Sequence, residues 1–300
     1  MPEDKLDSVI TRLMAERDQG YQTRKRFFSD IEEKLKRPLV TYYTSVGFGT
    51  AIDDQDVDML EGLLQSMDLS NGFALMISSL GGDGLAAERI INVCRNYSKT
   101  KEFWVIVAGQ AKSAATTICF GSSKIIMSPA SELGPVDPQV TIVDNKNQTH
   151  WVSVFHVVNS YKELFDNAVK QEKGHIEPYI QQLSNYDAKL ISHYQSIIEL
   201  SKDVAIRTLH SGMMKDLSEV QIEEKIKSFL TPEVTKLHGR PIFREEARSS
   251  GLNIEYLDMT DDLGKLIYEL HVRSRFFTDR QVQKLIENKN DFAYIGISQQ

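Results

Sequence analysis

The chain has 300 residues, 41% hydrophobic and 26% charged, which allows one or two globular domains with a sizeable core. Its formal net charge of −7 argues against a nucleic-acid backbone as the main partner. No apolar run approaches the roughly 18 residues of a membrane helix, and the charged opening "MPEDKLDSVITRLMAERDQG" has no secretory signal; with two cysteines and no disulfide framework, a cytoplasmic protein without a membrane partner is expected.

In chain order, residues 1–37 read as a helical arm, with Ile10, Leu13, Met14, Phe27, Phe28, Ile31 and Leu35 at helical spacing up to Pro38. "LVTYYTSVG" reads as a strand, "DDQDVDMLEGLLQSM" as an amphipathic helix and "GFALMISS" as a strand buried on both faces. "DGLAAERIINVCRNYS" is a helix, "EFWVIVAG" a third strand, "KSAATTICFG" a third helix and "SKIIMSP" a fourth strand. Such alternation marks an α/β core with parallel strands, placed at 38–150. Residues 151–230 read as a helical insertion, 231–260 as a return to the core through the strand-like "LNIEYLD", and 261–300 as a helical tail. Cys94 and Cys119 read as buried small hydrophobes. CxxC, HExxH, Walker and GxGxxG motifs are absent, so neither a metal nor a nucleotide cofactor is expected.

Three pieces fall at strand ends. "SSLGGDG" puts Gly81 and Gly82 at a strand-to-helix turn, where backbone amides can face a bound oxygen with no side chain in the way. Ser113 follows about 31 residues later, just beyond the third strand, where open α/β sheets bind their ligands. Alone it reads as a helix cap. As a nucleophile it would have the Ala114 amide beside it and room left by Ala111, Ala114 and Ala115. The third piece, "SELGPVDPQV", is a rigid loop after the fourth strand.

Taken together, "SSLGGDGLAAERI", "AKSAATTICFGSSKIIMSPASELGPVDPQ" and "GRPIFREEARSSGLNI" resemble the Clp/crotonase-fold serine peptidases, and within them the serine dehydrogenase proteinase family, relatives of signal peptide peptidase A. The resemblance covers about residues 40–140 and 230–258. It implies stacked ββα units, a homo-oligomer that encloses or lines its active sites, and Ser113 as nucleophile. It also implies oxyanion-hole amides from Gly81, Gly82 and Ala114, with Gly81 and Ala114 the direct donors. The loop that carries a histidine in the Clp proteolytic subunit reads "ELGPVDPQ" here and has none. Signal peptide peptidase A uses a lysine on a later helix, which makes Lys162 the expected base and Lys170 its fallback. Lys112 is set aside because adjacent side chains diverge.

A lysine base needs an apolar pocket that lowers its pKa by about 3 units. Histidine needs no such pocket. His150, His156 and His238 therefore stay open as bases, with Asp137 to orient one of them. The resulting expectation is a serine peptidase acting on peptides or unfolded proteins through an acyl-enzyme at Ser113. Two rivals stand beside it: a catalytically inactive oligomeric scaffold, and a crotonase-like acyl-CoA enzyme that uses the amides without a nucleophile.

Overall fold

The computed structural model describes residues 20–143, 146–170, 176–231 and 239–296, together with Val9. Strands β1 (Leu39–Thr44), β2 (Ala74–Ser79), β3 (Trp104–Ala111) and β4 (Lys124–Met127) alternate with helices α2 (Asp54–Gln65), α3 (Gly84–Tyr97) and α4 (Ala114–Phe120), after a leading helix α1 (Tyr21–Leu35). The short β5 (Glu132–Leu133) leads to a hairpin, β6 (Gln139–Val143) and β7 (Thr149–Ser153). Helices α5 (Val154–Lys170), α6 (Glu177–Leu183), α7 (Ala188–His210), α8 (Glu219–Lys225) and α9 (Lys227–Leu230) follow. The chain closes with β8 (Ile242–Phe243), α10 (Arg244–Ser249), β9 (Ile254–Tyr256), α11 (Asp262–Thr278), β10 (Val282–Glu287) and β11 (Phe292–Gly296).

The result is a mixed α/β fold around one mostly parallel sheet, ordered β11-β10-β1-β2-β3-β4-β9. Strands β1, β2, β3, β4 and β9 run parallel, and β10 and β11 add antiparallel at one edge. Side chains alternate across it as strand geometry requires. Val40, Tyr42, Leu75, Ile77, Val105, Val107, Ile125 and Met127 join one core with residues of α2, α3, α4, α7 and α8. Leu39, Tyr43, Ala74, Met76, Ile106 and Ile126 join the other, under α1 and α11. Burial on both faces is why the strands read as continuous apolar runs.

One expectation changes and one open alternative is decided. The tail is not helical throughout: after α11 it returns as β10, which pairs with β1, and β11. Val282, Leu285 and Ile286 mimic helical spacing because a register shift at Val282/Lys284 puts Val282 and Leu285 on the same face. The charges within β10 are buried in pairs. Lys284 Nζ meets Asp53 Oδ2 at 2.8 Å and Asp56 Oδ2 at 2.9 Å, and Glu287 takes the Arg24 guanidinium. Second, the N-terminal helix, which the sequence leaves open as an oligomerisation arm or a helix laid on the core, is laid on the core: α1 and α11 form the layer that covers the second face of the sheet. The two cysteines are free and buried, and burial pushes both thiols up, away from reactivity. No helix among the described residues is long and apolar enough to cross a membrane, and no group of three or more metal-ligating side chains occurs among them.

Candidate active site

The β2–β3 pairing slips between Ile77↔Val107 and Ser79↔Ala111, so β3 carries two extra residues around Gly109. The excess bends the strand end toward β5, with Gln110↔Glu132 and Ala111↔Leu133 in register. The chain then turns sharply into α4, and Ser113 sits on that turn at φ 49°, ψ −119°. L-residues with a Cβ rarely hold this conformation, which costs on the order of 1–3 kcal/mol. A strained serine between a strand and a helix is the arrangement of a nucleophile elbow. Its side chain does not cap α4 and makes no hydrogen bond among the described residues, so the cap reading fails.

The Gly-Gly turn packs directly on this serine. A Cβ on Gly81, at φ +104°, would lie 2.7 Å from both Lys112 O and Ser113 Cβ. A Cβ on Gly82 would lie 2.3 Å from Ile52 N. Ile52 clips the turn from its other side: its N–H donates to Gly81 O and its carbonyl accepts from Asp83 N–H, both at 2.9 Å. Asp83 then caps α3 through Leu85 N (2.7 Å). Only glycine fits at either position, for reasons of contact as well as φ.

Of the expected oxyanion donors, Gly82 and Ala114 line the same cavity as Ser113, and their amides donate to no acceptor among the described residues. Gly81 does not line it. Its N–H donates to Ser79 Oγ (3.0 Å), which also accepts from Thr44 Oγ1 (2.7 Å). The available pair is therefore Gly82 and Ala114, because a buried amide takes the nearest acceptor.

The "GPVDPQ" loop is fastened to this turn by Lys112 and Thr116. Lys112 is buried, with Nζ 2.9 Å from Glu132 Oε1 and 3.1 Å from Leu133 O, so it is committed away from Ser113. Thr116 Oγ1 lies 2.7 Å from Ala111 O and 3.0 Å from Gly134 O, and accepts from Gly134 N–H (3.1 Å). On its far side the loop binds the helical segment: Val136 N–H donates to Phe229 O (2.8 Å), and Ser201 Oγ donates to Val136 O (2.7 Å). Ile197, Leu200 and Val204 of α7, at helical spacing, thereby become the far wall of a cavity of about 170 Å³ over Ser113. The insertion thus completes the site.

The expected bases are not in this cavity. Lys162 and Lys170 are exposed on α5, His156 is exposed near its start, and His150 is exposed on β7. None lines the cavity, and no histidine or lysine does among the described residues. Asp137 is buried and lines not the Ser113 cavity but an adjoining one of about 310 Å³, beside Phe155 and Lys202, that shares Val136, Pro138 and Ser201 with it. His238 lies outside the described residues. On α5 Val154 and Val158 are buried, but Lys162, one turn beyond Val158, is exposed.

No protein-family model matches the chain, and no curated protein matches it closely enough to count as a relative.

Proposed function

We propose that the chain is a serine peptidase of the Clp/crotonase type with Ser113 as its nucleophile. One observation carries this reading: a strained, uncapped serine shares a cavity with two unengaged backbone amides, those of Gly82 and Ala114. Ser113 Oγ attacks the carbonyl carbon of a peptide or unfolded segment as its proton passes to a base. The two amides hold the resulting oxyanion, which costs no reorganisation because they are already in place. The C–N bond then breaks, the amine leaves with the proton from the base, and water hydrolyses the acyl-enzyme.

Lys162 remains the proposed base; exposed on α5 and away from the Ser113 cavity of its own chain, it would have to act on Ser113 of a second copy. Apolar exposure on the same elements supports such an assembly: Phe165 and Val169 on α5, Ile180 on α6 and Trp151 on β7 are 48%, 69%, 55% and 70% exposed. The lack of a histidine or lysine in the cavity among the described residues also favours one rival, the inactive scaffold. A fluorophosphonate probe separates the two. Wild-type chain takes the label at Ser113 and Ser113→Ala does not; failure of the wild-type chain to label, with the fold intact, rejects the peptidase reading. A scattering mass of one chain would reject the shared site.

A further inference from the structure

A second chemistry-bearing cavity lies on the other face of the sheet from the Ser113 cavity. A cavity of about 700 Å³ opens at the carboxyl ends of the parallel strands β3, β4 and β9, between their end loops and one stripe of α11. It shares no lining residue with the first cavity. Gly109, in the widened part of β3, forms its floor together with His271, and a Cβ at 109 would lie 2.9 Å from His271 Nε2. The carboxyl ends of parallel strands are where open α/β sheets bind ligands, and the volume falls in the usual range for small-molecule sites.

The hydrogen-bonding state of His271 follows from its partner. The ring is 6% exposed, with Nδ1 2.9 Å from the hydroxyl of Tyr43, itself 1% exposed. That hydroxyl has no other acceptor among the described residues, so protonated Nδ1 would leave a buried O–H without one. Tyr43 therefore donates to Nδ1, and the ring proton sits on Nε2. Nε2 makes no hydrogen bond among the described residues and its residue lines the cavity. Burial lowers the pKa of His271 to about 4, with the Arg275 charge lowering it further and Asp279 opposing, so Nε2–H is a neutral donor at pH 7.

The charged groups on the cavity are Arg275, Asp279 and Arg280. Asp279 is committed: Oδ1 accepts from Val46 N–H (3.1 Å) and Ser45 Oγ (3.3 Å), and Oδ2 pairs with Arg275 Nε (3.5 Å). The Arg280 guanidinium lies 4.3 Å over the Phe276 ring and has no carboxylate partner among the described residues. One uncompensated guanidinium thus stands with a neutral N–H donor in a cavity that is otherwise largely apolar, with Met259, Val272 and Phe276 on its walls. A planar guanidinium and an N–H donor match a carboxylate.

We infer that this cavity is a binding site for an organic monocarboxylate with an apolar body, either a free acid or the C-terminus of a peptide, its carboxylate held by Arg280 and His271 Nε2–H. The inference does not rest on the role of Ser113.

Calorimetric titration of the full chain tests it. N-acetylleucine and octanoate serve as free acids, the peptide Ac-Ala-Ala-Leu as a C-terminus, and N-acetylleucinamide as the uncharged control. At least one acid binds, the amide does not, and which acid binds identifies the source. Arg280→Gln weakens binding about tenfold or more while leaving fluorophosphonate labelling of Ser113 as in wild type. Nitrogen-15 spectra detect the His271 Nε2–H tautomer and show its signal moving on saturation. No binding by any acid at millimolar concentration, equal binding of the amide, or an unaffected Arg280→Gln variant would each overturn the proposal.

Discussion

The strain at Ser113 can be measured directly. Ser113→Ala and Ser113→Gly both remove the hydroxyl, but only glycine relaxes the backbone at φ 49°, ψ −119°. Holding a Cβ residue there costs on the order of 1–3 kcal/mol, and glycine returns about 0.5–1 kcal/mol of that through the freedom of its unfolded chain. Ser113→Gly should therefore be more stable than Ser113→Ala by about 1 kcal/mol, within a range of roughly 0–2.5 kcal/mol. In a chain of this size that is roughly 2–4 °C in Tm. The hydroxyl is absent from both variants, and it makes no hydrogen bond among the described residues, so its loss does not enter the difference. Scanning calorimetry on the two variants gives the answer, and urea midpoints check it independently. An alanine variant as stable as the glycine variant would refute strain at this turn and with it the elbow geometry that makes Ser113 a nucleophile candidate. Neither variant should take the fluorophosphonate label, so the stability difference and the loss of chemistry read two separate properties of one residue.

Other outcomes follow from the same contacts. Gly81→Ala drives a Cβ to 2.7 Å from Ser113 Cβ, so it should abolish labelling and cost about 1–3 kcal/mol, read by urea unfolding and the probe together. Lys284→Met strands Asp56, which is fully buried and also accepts from Tyr42 OH (2.7 Å); it should cost about 3–5 kcal/mol, and adding Asp56→Asn should recover part of that. His271 binds its proton in the folded chain only near pH 4, against 6.5 for the free side chain. The unfolded state thus holds more protons between those values, and stability falls as pH drops through that window, by up to about 3 kcal/mol. His271→Gln keeps an acceptor for Tyr43 and should flatten the slope of urea midpoints from pH 7 to pH 4.5, relative to wild type.

Local order was legible in the sequence wherever one force dominated. Apolar runs set β1 to β4, helical spacing set α2 and α3, and the small residues after Gly81 and around Ser113 marked the turns where the chain closes on itself. The tail reads as helix because Lys284 and Glu287 look solvent-facing in a one-dimensional pattern. Only a fold that supplies Asp56 and Arg24 from far along the chain lets a strand bury them. The cap reading of Ser113 was reasonable for the residue type and failed on its backbone angles, which no local pattern encodes.

What the sequence determined by itself is the alternation of strands and helices and the nomination of Ser113 and the Gly-Gly turn, since these depend on residues close in the chain. The tertiary structure decided which glycine offers its amide, because Ser79 takes that of Gly81. It brought α7 over the cavity, through hydrogen bonds from residues 201 and 136 that lie 65 positions apart. It also left Lys162 exposed and joined Tyr43 to His271 across 228 positions. Spacing along a chain fixes which side chains share one helix face or strand face. Contacts between faces depend on how elements pack, and the chemistry of both cavities lies in those contacts.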